Sequence, residues 1–459
     1  MTSPSLPPDA FNALPPAVQA YIRYLEARLA ELEARLGQDS SNSSRPPSSD
    51  PPHAKPAPPK TSSGKQKGGQ PGHPKRSRPD LPPDAIVELR ADACRHCRAP
   101  LSGDDPEPLR HQVVEIPPIR PHVTEYRRHR LTCPRCGKVS CPALPGHARG
   151  GYGPRAQAVC AVLSGAYRVG KRGVARLCRD LFGVPISPAA VCNLQRHTAA
   201  ALGPVVAAAH AQVAGRPANV DETGWREGRK QGWLWVAVTA CVTVFLVRLS
   251  RGRKVLAELI GGEPGVLTTD RYPAYGHLPV DRRQVCWAHL QRDFQAMIDR
   301  RNAGSAVGED LLLHAGILLV QWKRVRDGTL TRRGFRQSYL GWVQAEVRAL
   351  LDRGTRCGCA TTAGVCRELL AVESALYTFA AVEGVEPTNN AAERALRHAV
   401  CWRKTSYGTD SPAGSRFVER VLTVVATCRQ QGRDVLEYLT ECCRATLGRT
   451  APLALLPRP

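Results

Sequence analysis

The hydrophobic positions near the start of the chain follow a helical period. They are separated alternately by four and three residues, with Arg and Glu between them: Val18, Ile22, Leu25, Leu29, Leu32 and Leu36. This spacing predicts a helix within residues 1–37 and favours self-association as a coiled coil. Because fewer than three heptads fit, the alternative is a helix that packs on its own domain.

The next segment, residues 38–83, has almost no apolar residues with which to form a core. It consists mainly of Ser, Pro, Gly and Lys, and residues 51–80 carry seven Lys or Arg against Asp80. This composition predicts a flexible, disordered basic linker. Its cations either bind DNA phosphates without sequence preference or simply keep the tether solvated.

Short apolar runs that are typical of strands begin after residue 217. Strands are predicted at 218–220, 232–239, 242–249, 265–269 and 283–287, and a helix at 254–260. The predicted order β-β-β-α-β-α-β-α describes a multidomain α/β protein with a mixed sheet. Residues 217–288 form the first part of this core. Residues 289–385 are a long all-helical insertion, and residues 386–459 return as C-terminal helices.

Composition limits the function classes that the chain can serve. The 459 residues carry 64 Lys and Arg against 40 Asp and Glu, a net charge of +24. Such a charge predicts attraction to polyanions, of which nucleic acid is the first candidate. No run reaches the roughly 18 to 20 apolar residues of a membrane span, and no signal peptide is recognised. We therefore expect a cytoplasmic protein that binds no membrane.

Two cysteine pairs stand out in residues 84–147. Cys94 and Cys97 form one C-x-x-C motif, and Cys133 and Cys136 form a second, with 35 residues between the two motifs. Two such pairs predict one structural Zn²⁺ held by four thiolates in a small module, with a strand pair at 112–116 and 122–131. The alternative is two unrelated surface pairs. The Arg-rich surroundings favour DNA binding, as they do in the helical connecting region 148–216.

Three carboxylates have the spacing that two-metal phosphodiester chemistry requires. Asp221 ends the first predicted strand, Asp270 ends the fourth, and Glu393 lies on a helix that Asn389 or Asn390 caps. Such carboxylates hold two Mg²⁺ (or Mn²⁺) ions when a sheet brings them together. Each one alone is unremarkable, and four other acids compete for the role: Glu222, Glu227, Glu386 and Glu419.

The chain resembles the bacterial insertion-sequence 66 family of DDE transposases. The likeness spans about residues 17–440 and is carried by blocks in the expected order: QDSSNSSRPPSSD at 38–50, GGQPGH at 68–73, the two C-x-x-C pairs, VDETGWR at 220–226, TDRYPAY at 269–275, CWAH at 286–289 and TNNAAERALR at 388–397. The resemblance implies an RNase H-like catalytic core in which Asp221, Asp270 and Glu393 hold the two metals.

The resemblance also implies an activity and its partners. A transposase of this kind binds the terminal inverted repeats of its element, cleaves double-stranded DNA and transfers the strand to a target, near the nucleoid. Accessory proteins of the same element are implied as partners. The matching block also suggests supporting roles for Cys286 and His289, and the alternative for His289 is a buried histidine with satisfied hydrogen bonds. Apart from the resemblance, supporting or DNA-binding roles are predicted for Arg394, Arg397, Arg403 and Lys404, and the alternative for Arg403 and Lys404 is a surface turn.

Two other hypotheses stay open. A zinc-containing DNA-binding protein without catalysis, either a decayed copy or an accessory regulator, would use the same basic and cysteine-rich segments. An RNase H-like nuclease that acts on RNA–DNA hybrids would use the same carboxylates, but the zinc module and the helical insertion are unusual for it.

Overall fold

The computed structural model describes residues 11–36, 80–148, 150–262 and 264–455. The predicted basic linker falls outside these residues except for its last four. The predicted N-terminal helix is confirmed as α1, Pro16–Leu36. Leu25 and Leu29 on α1 are 46% and 59% exposed, so an apolar row faces solvent in the single chain. The coiled coil itself stays a prediction.

The cysteine module contains little regular structure. Strands β1 (Leu131–Thr132) and β2 (Val139–Ser140) pair in an antiparallel manner around the second cysteine pair. The predicted strand pair at 112–116 and 122–131 is wrong: in the described chain no ladder joins the two segments, and of their residues only Leu131 belongs to a strand, β1. Val113 and Val123 are at least 80% exposed. A two-stranded ribbon that buries no apolar face gains too little to form.

Three helices follow the module, as the composition of residues 148–216 predicts. They are α2 (Pro154–Gly165), α3 (Lys171–Phe182) and α4 (Pro188–Ala211). Helix α2 packs on the C-terminal helices, and all three share a small apolar core of their own. This unit lies directly before the first strand of the main sheet.

A five-stranded mixed sheet forms the centre of the molecule. Its strands are β3 (Ala218–Glu227), β4 (Lys230–Val238), β5 (Thr243–Arg248), β6 (Leu267–Thr269) and β7 (Arg283–Val285). The spatial order is β5-β4-β3-β6-β7, with β3, β4 and β5 antiparallel and β3, β6 and β7 parallel. Helix α5 (Arg253–Ile260) connects β5 to β6. The predicted mixed sheet is therefore confirmed.

Two connections in the sheet are informative. The β4–β5 turn lacks Gly and Asn, but the Thr239 hydroxyl accepts hydrogen bonds from the amides of Cys241 and Val242. This side chain supplies the local acceptor that a tight turn needs. The helix predicted between β6 and β7 is wrong: two 3₁₀ turns, Pro273–Tyr275 and Val280–Arg282, make that connection.

The predicted helical insertion is confirmed and begins directly after β7. Its helices are α6 (Trp287–Asp299), α7 (Ser305–Arg326), α8 (Arg332–Phe335), α9 (Gly341–Thr355), α10 (Ala360–Ala371) and α11 (Thr378–Ala381). They enclose an apolar core that includes Phe294, Trp322 and Phe379. The insertion therefore folds around its own core, beside the sheet.

Three helices close the fold: α12 (Asn390–Ser406), α13 (Pro412–Gln430) and α14 (Val435–Gly448). Helix α13 covers the open edge of β5, where side chains of Glu419, Thr423 and Thr427 accept hydrogen bonds from strand amides. This contact pairs a sheet edge that would otherwise be exposed. No helix among the described residues is long and apolar enough to cross a membrane.

Candidate active site

Strand register brings the two candidate aspartates together. Parallel strands β3 and β6 pair Asn219 with Thr268. Asp221 and Asp270 each follow two residues after that pair, so they reach the same height on neighbouring strands. Residues two apart also share a face of a sheet, which directs both side chains the same way.

Helix α12 carries the third carboxylate. Glu393 lies in its first turn, and its Oε1 atom is 3.7 Å from His289 Nε2 and 3.4 Å from an Arg292 guanidinium nitrogen, both on α6. Arg292 was not among the predicted site residues. It lies one helical turn after His289, and that spacing is the signal in the sequence that points to it.

A chain of hydrogen bonds connects the three carboxylate-bearing segments. The Asn389 side chain donates to the Val220 carbonyl over 2.8 Å, and the Asn389 amide donates to Cys286 Sγ over 3.0 Å. The Cys286 amide in turn donates to the Thr269 carbonyl over 2.9 Å. Val220 and Thr269 precede the two aspartates, so Asn389 and Cys286 set the distance between strands and helix.

This arrangement corrects the predicted role of Asn389. The residue does occupy the N-cap position of α12, but its fully buried side chain bonds to β3 instead of to the helix. The supporting role predicted for Cys286 agrees with its position. Burial raises the pKa of the Cys286 thiol to about 12, so it is neutral and is a poor ligand for a metal.

The charges at the site are mostly negative. Burial raises the pKa of Asp221 well above its usual range, and the neighbouring charges of Glu222, Asp270 and Glu393 raise it further. The amide of Glu222, 2.8 Å from Asp221 Oδ1, opposes this only in part. A carboxyl group that is held among other carboxylates is typical of metal and catalytic sites.

The competing acids have partners of their own. Glu222 forms an ion pair of 2.6 Å with Arg251 and accepts a hydrogen bond from the Tyr275 hydroxyl. Arg251 also lies against the rings of Trp233 and Tyr272. The remaining three acids accept hydrogen bonds from other parts of the fold: Glu227 from Ser415, Glu386 from Trp322 and Glu419 from the Val247 amide. These contacts indicate structural roles.

His289 is buried against the carboxylates. Burial lowers its pKa, although the charges of Asp270 and Glu393 oppose that shift. The imidazole is therefore neutral near pH 7, and its Nδ1 atom has no hydrogen-bond partner among the described residues. The position agrees with the predicted supporting role of His289.

The other four predicted supporting residues are cations on α12. Arg403 reaches β3, where its guanidinium donates to Thr223 and to the Gly224 carbonyl. Arg394 lines a 580 Å³ cleft beside the β4–β5 turn. Arg394, Arg397 and Lys404 are exposed.

The carboxylate cluster fits hard cations by its chemistry. Carboxylate oxygens are the ligands that Mg²⁺ prefers, and Asn389 Oδ1 is a buried acceptor without a hydrogen-bond partner in the described residues. No group of three or more His, Cys, Asp or Glu side chains within residues 11–36, 80–148, 150–262 and 264–455 is yet close enough to hold an ion. The magnesium and zinc sites thus stay predictions.

The two cysteine pairs are built alike. In each turn the first cysteine carbonyl accepts an amide hydrogen bond of 2.9 Å from the residue four positions on, Arg98 or Gly137, whose φ is 61° or 68°. Hydrogen bonds from the amides of Cys97 and Cys136 lower the pKa values of Cys94 and Cys133, respectively. Two equal turns that stabilise thiolates fit a zinc ligand set.

Two family models match separate parts of the chain. Residues 149–416 match a family model described as "Transposase IS66 family", and residues 9–79 match one described as "Family of unknown function (DUF6444)". The chain is 26% identical over 242 residues to "Uncharacterized protein y4qI" of Sinorhizobium fredii. That alignment covers 48% of this chain and 44% of the relative, so the chain spans less than half of the relative's length.

Proposed function

Since the chain belongs to the Transposase IS66 family, whose model covers more than half of it, we propose that it cleaves and joins DNA at the ends of an insertion sequence. One observation carries this proposal. The register of β3 and β6 sets Asp221 beside Asp270, and the charges of Asp270 and Glu393 raise the pKa of Asp221. The sheet agrees with the RNase H-like core that the sequence resemblance implies.

In the proposed mechanism each carboxylate has a fixed support. Asp221 and Asp270 stand on paired strands, and Asn389 holds the start of α12 against β3. Two Mg²⁺ or Mn²⁺ ions held by the three carboxylates would activate water or a 3′ hydroxyl and stabilise the leaving oxygen. His289 and Arg292 orient Glu393 from the α6 side.

The raised pKa of Asp221 gives the site a pH dependence. Protonated Asp221 is a poor ligand for a cation, so cleavage should rise with pH as this group ionises. Arg292 already places one full positive charge beside the Glu393 carboxylate. The imidazole of His289 is neutral and adds no second one. Both groups therefore favour cation binding at neutral or higher pH.

The remaining segments complete the proposed transposase. The cysteine module would be stabilised by one Zn²⁺ on Cys94, Cys97, Cys133 and Cys136. Helix α1 would join two copies of the chain through its exposed leucines. Double-stranded DNA is the proposed substrate of the site, with accessory proteins of the same element as partners.

The test is Mg²⁺-dependent nicking of a labelled duplex that carries the end of the element. We expect nicking by the wild type and at least about a hundredfold loss in Asp270→Asn and in Glu393→Gln, with DNA binding retained. Glu383→Gln is the matched control, since Glu383 is exposed at the end of the insertion. It should nick at the wild-type rate.

Two outcomes would contradict the proposal. Nicking that persists in Asp270→Asn would remove that residue from the site. Tight binding without nicking by the wild type, with the element's accessory proteins added, would favour the non-catalytic DNA-binding alternative.

A further inference from the structure

Helices α2, α3 and α4 form a compact unit that the carboxylate site does not use. Their shared core contains Cys160 from α2, Val174 and Cys178 from α3, and Val191 and Leu194 from α4. Gly183, at φ 63°, ends α3, and the Ser187 hydroxyl caps α4 by accepting from the Ala190 amide. A short turn that contains Gly and joins two helices, here α3 and α4, on a three-helix core is typical of a helix-turn-helix unit.

Helix α3 presents a row of cations. Arg172, Arg176 and Arg179 are exposed and are spaced four and three residues apart, so they share one face. Arg179 is paired with Asp180, which is the one acid in the sequence of residues 154–216 against eight Lys and Arg. This face is therefore strongly basic whatever the state of that pair.

Helix α4 presents a different surface beside it. Ala189, Asn193, Arg196 and His197 are exposed at spacings of four, three and one. A cleft of about 660 Å³ is lined by the three α3 arginines and by residues 185–188, which lead into α4. Asn and Arg are the side chains that make paired hydrogen bonds with adenine and guanine in the major groove.

The unit is fixed to the catalytic core. Gly165 at the end of α2 packs so closely on Val421 of α13 that a Cβ atom would overlap it. The Gly165 carbonyl is also 2.7 Å from His398 Nε2 on α12, the helix that carries Glu393. A duplex bound by α3 and α4 would therefore be held at a set position relative to the carboxylates.

We propose that α3 and α4 are the element of this chain that binds and reads duplex DNA. Helix α4 enters the major groove with Asn193 and Arg196 on base edges, while Arg172 and Arg176 hold phosphates at its rim. The proposal rests on the proposed function, because it names the part of the transposase that selects its DNA. It assigns the phosphate-contacting and base-contacting roles to different helices.

Binding of the full chain to a fluorescein-labelled random-sequence duplex, without Mg²⁺ and across a salt series, tests the phosphate role. The slope of log K against log salt changes by about 0.9 per phosphate contact. Arg172→Ala with Arg176→Ala should reduce the slope by roughly 2. Arg333→Ala with Arg336→Ala, an exposed pair in the insertion, removes the same charge and should leave the slope nearly unchanged.

Selection from a random-duplex library tests the base-reading role. The wild type should enrich one motif, and Asn193→Ala with Arg196→Ala should lose at least about tenfold of that preference per contact while it keeps most random-duplex affinity. Since all these side chains are exposed, we expect each variant to fold, and thermal melting checks this.

Equal effects of the two arginine pairs, or an unchanged motif, would overturn the inference. If nicking by the wild type persists in that case, the proposed function stands without it. A wild type that neither binds nor nicks would overturn both.

Discussion

Asn389→Ala is the most direct test of how the site is assembled. The substitution removes the 2.8 Å hydrogen bond to the Val220 carbonyl, and a buried carbonyl without its donor costs about 1–3 kcal/mol. It also removes Oδ1, a buried acceptor with no hydrogen-bond partner in the described chain, and this offsets part of the cost. We expect a net loss of about 1 kcal/mol in the free energy of unfolding.

Activity should fall much further than stability. Without the Asn389 bond, the first turn of α12 is no longer fixed to the strand that carries Asp221. Loss of a positioning contact at a metal site typically costs 10- to 100-fold in activity or metal affinity. The assays are chemical unfolding, DNA affinity without Mg²⁺, and nicking across a Mg²⁺ titration. The half-maximal Mg²⁺ concentration should rise while DNA affinity is unchanged.

The control is Asn302→Ala, which removes a hydrogen bond of 2.9 Å to the Gly304 amide within the insertion. It should cost stability without moving the Mg²⁺ titration. If Asn389→Ala lowers nicking only as much as Asn302→Ala does, then Asn389 supports the fold alone and the positioning argument is wrong.

Three further predictions follow from the same structure. Because the pKa of Asp221 is raised in the folded chain, its ionisation opposes folding once the pH rises above the unfolded value near 4. Asp221→Asn should therefore unfold at a higher denaturant concentration than the wild type at pH 8 and at the same concentration in acid. This variant should not nick DNA. Cys94→Ser with Cys97→Ser should abolish an otherwise stoichiometric zinc content, measured by elemental analysis, and unchanged zinc would remove this pair from the site. Leu25→Glu with Leu29→Glu should convert a dimeric chain to a monomer in light scattering without altering the fold, whereas an unchanged mass would exclude α1 as the interface.

Local patterns predicted the sheet and its carboxylates because both are encoded over short distances. Asp270 directly follows β6, as predicted, whereas the prediction that Asp221 ends its strand is wrong, because β3 continues to Glu227. The parallel pairing of the two strands still sets both residues at the same height. The insertion was also predictable, since its apolar residues recur at helical spacing around a separate core. Candidate functional residues in such segments can be recognised from the sequence before any tertiary contact is known.

The missed features all depend on contacts between distant segments. Asn389 has the sequence context of a helix cap, but its side chain bonds to a strand 169 residues earlier. The strand pair predicted in the cysteine module contains β-branched residues, yet Val113 and Val123 stay exposed in the described chain. The sequence pattern alone does not determine which face of a strand will pack against another segment of the protein.

The distribution of counter-charges distinguishes the competing acids from the candidate catalytic ones. Glu222 and Glu419 are buried and are paired with arginines at 2.6 Å, which offsets the cost of removing their charges from water. Asp221 instead has carboxylates as its charged neighbours, and Glu393 has only the longer contact of 3.4 Å with Arg292. In the proposed site, strand register and neutral donors would position these groups, and a bound cation would neutralise their charge.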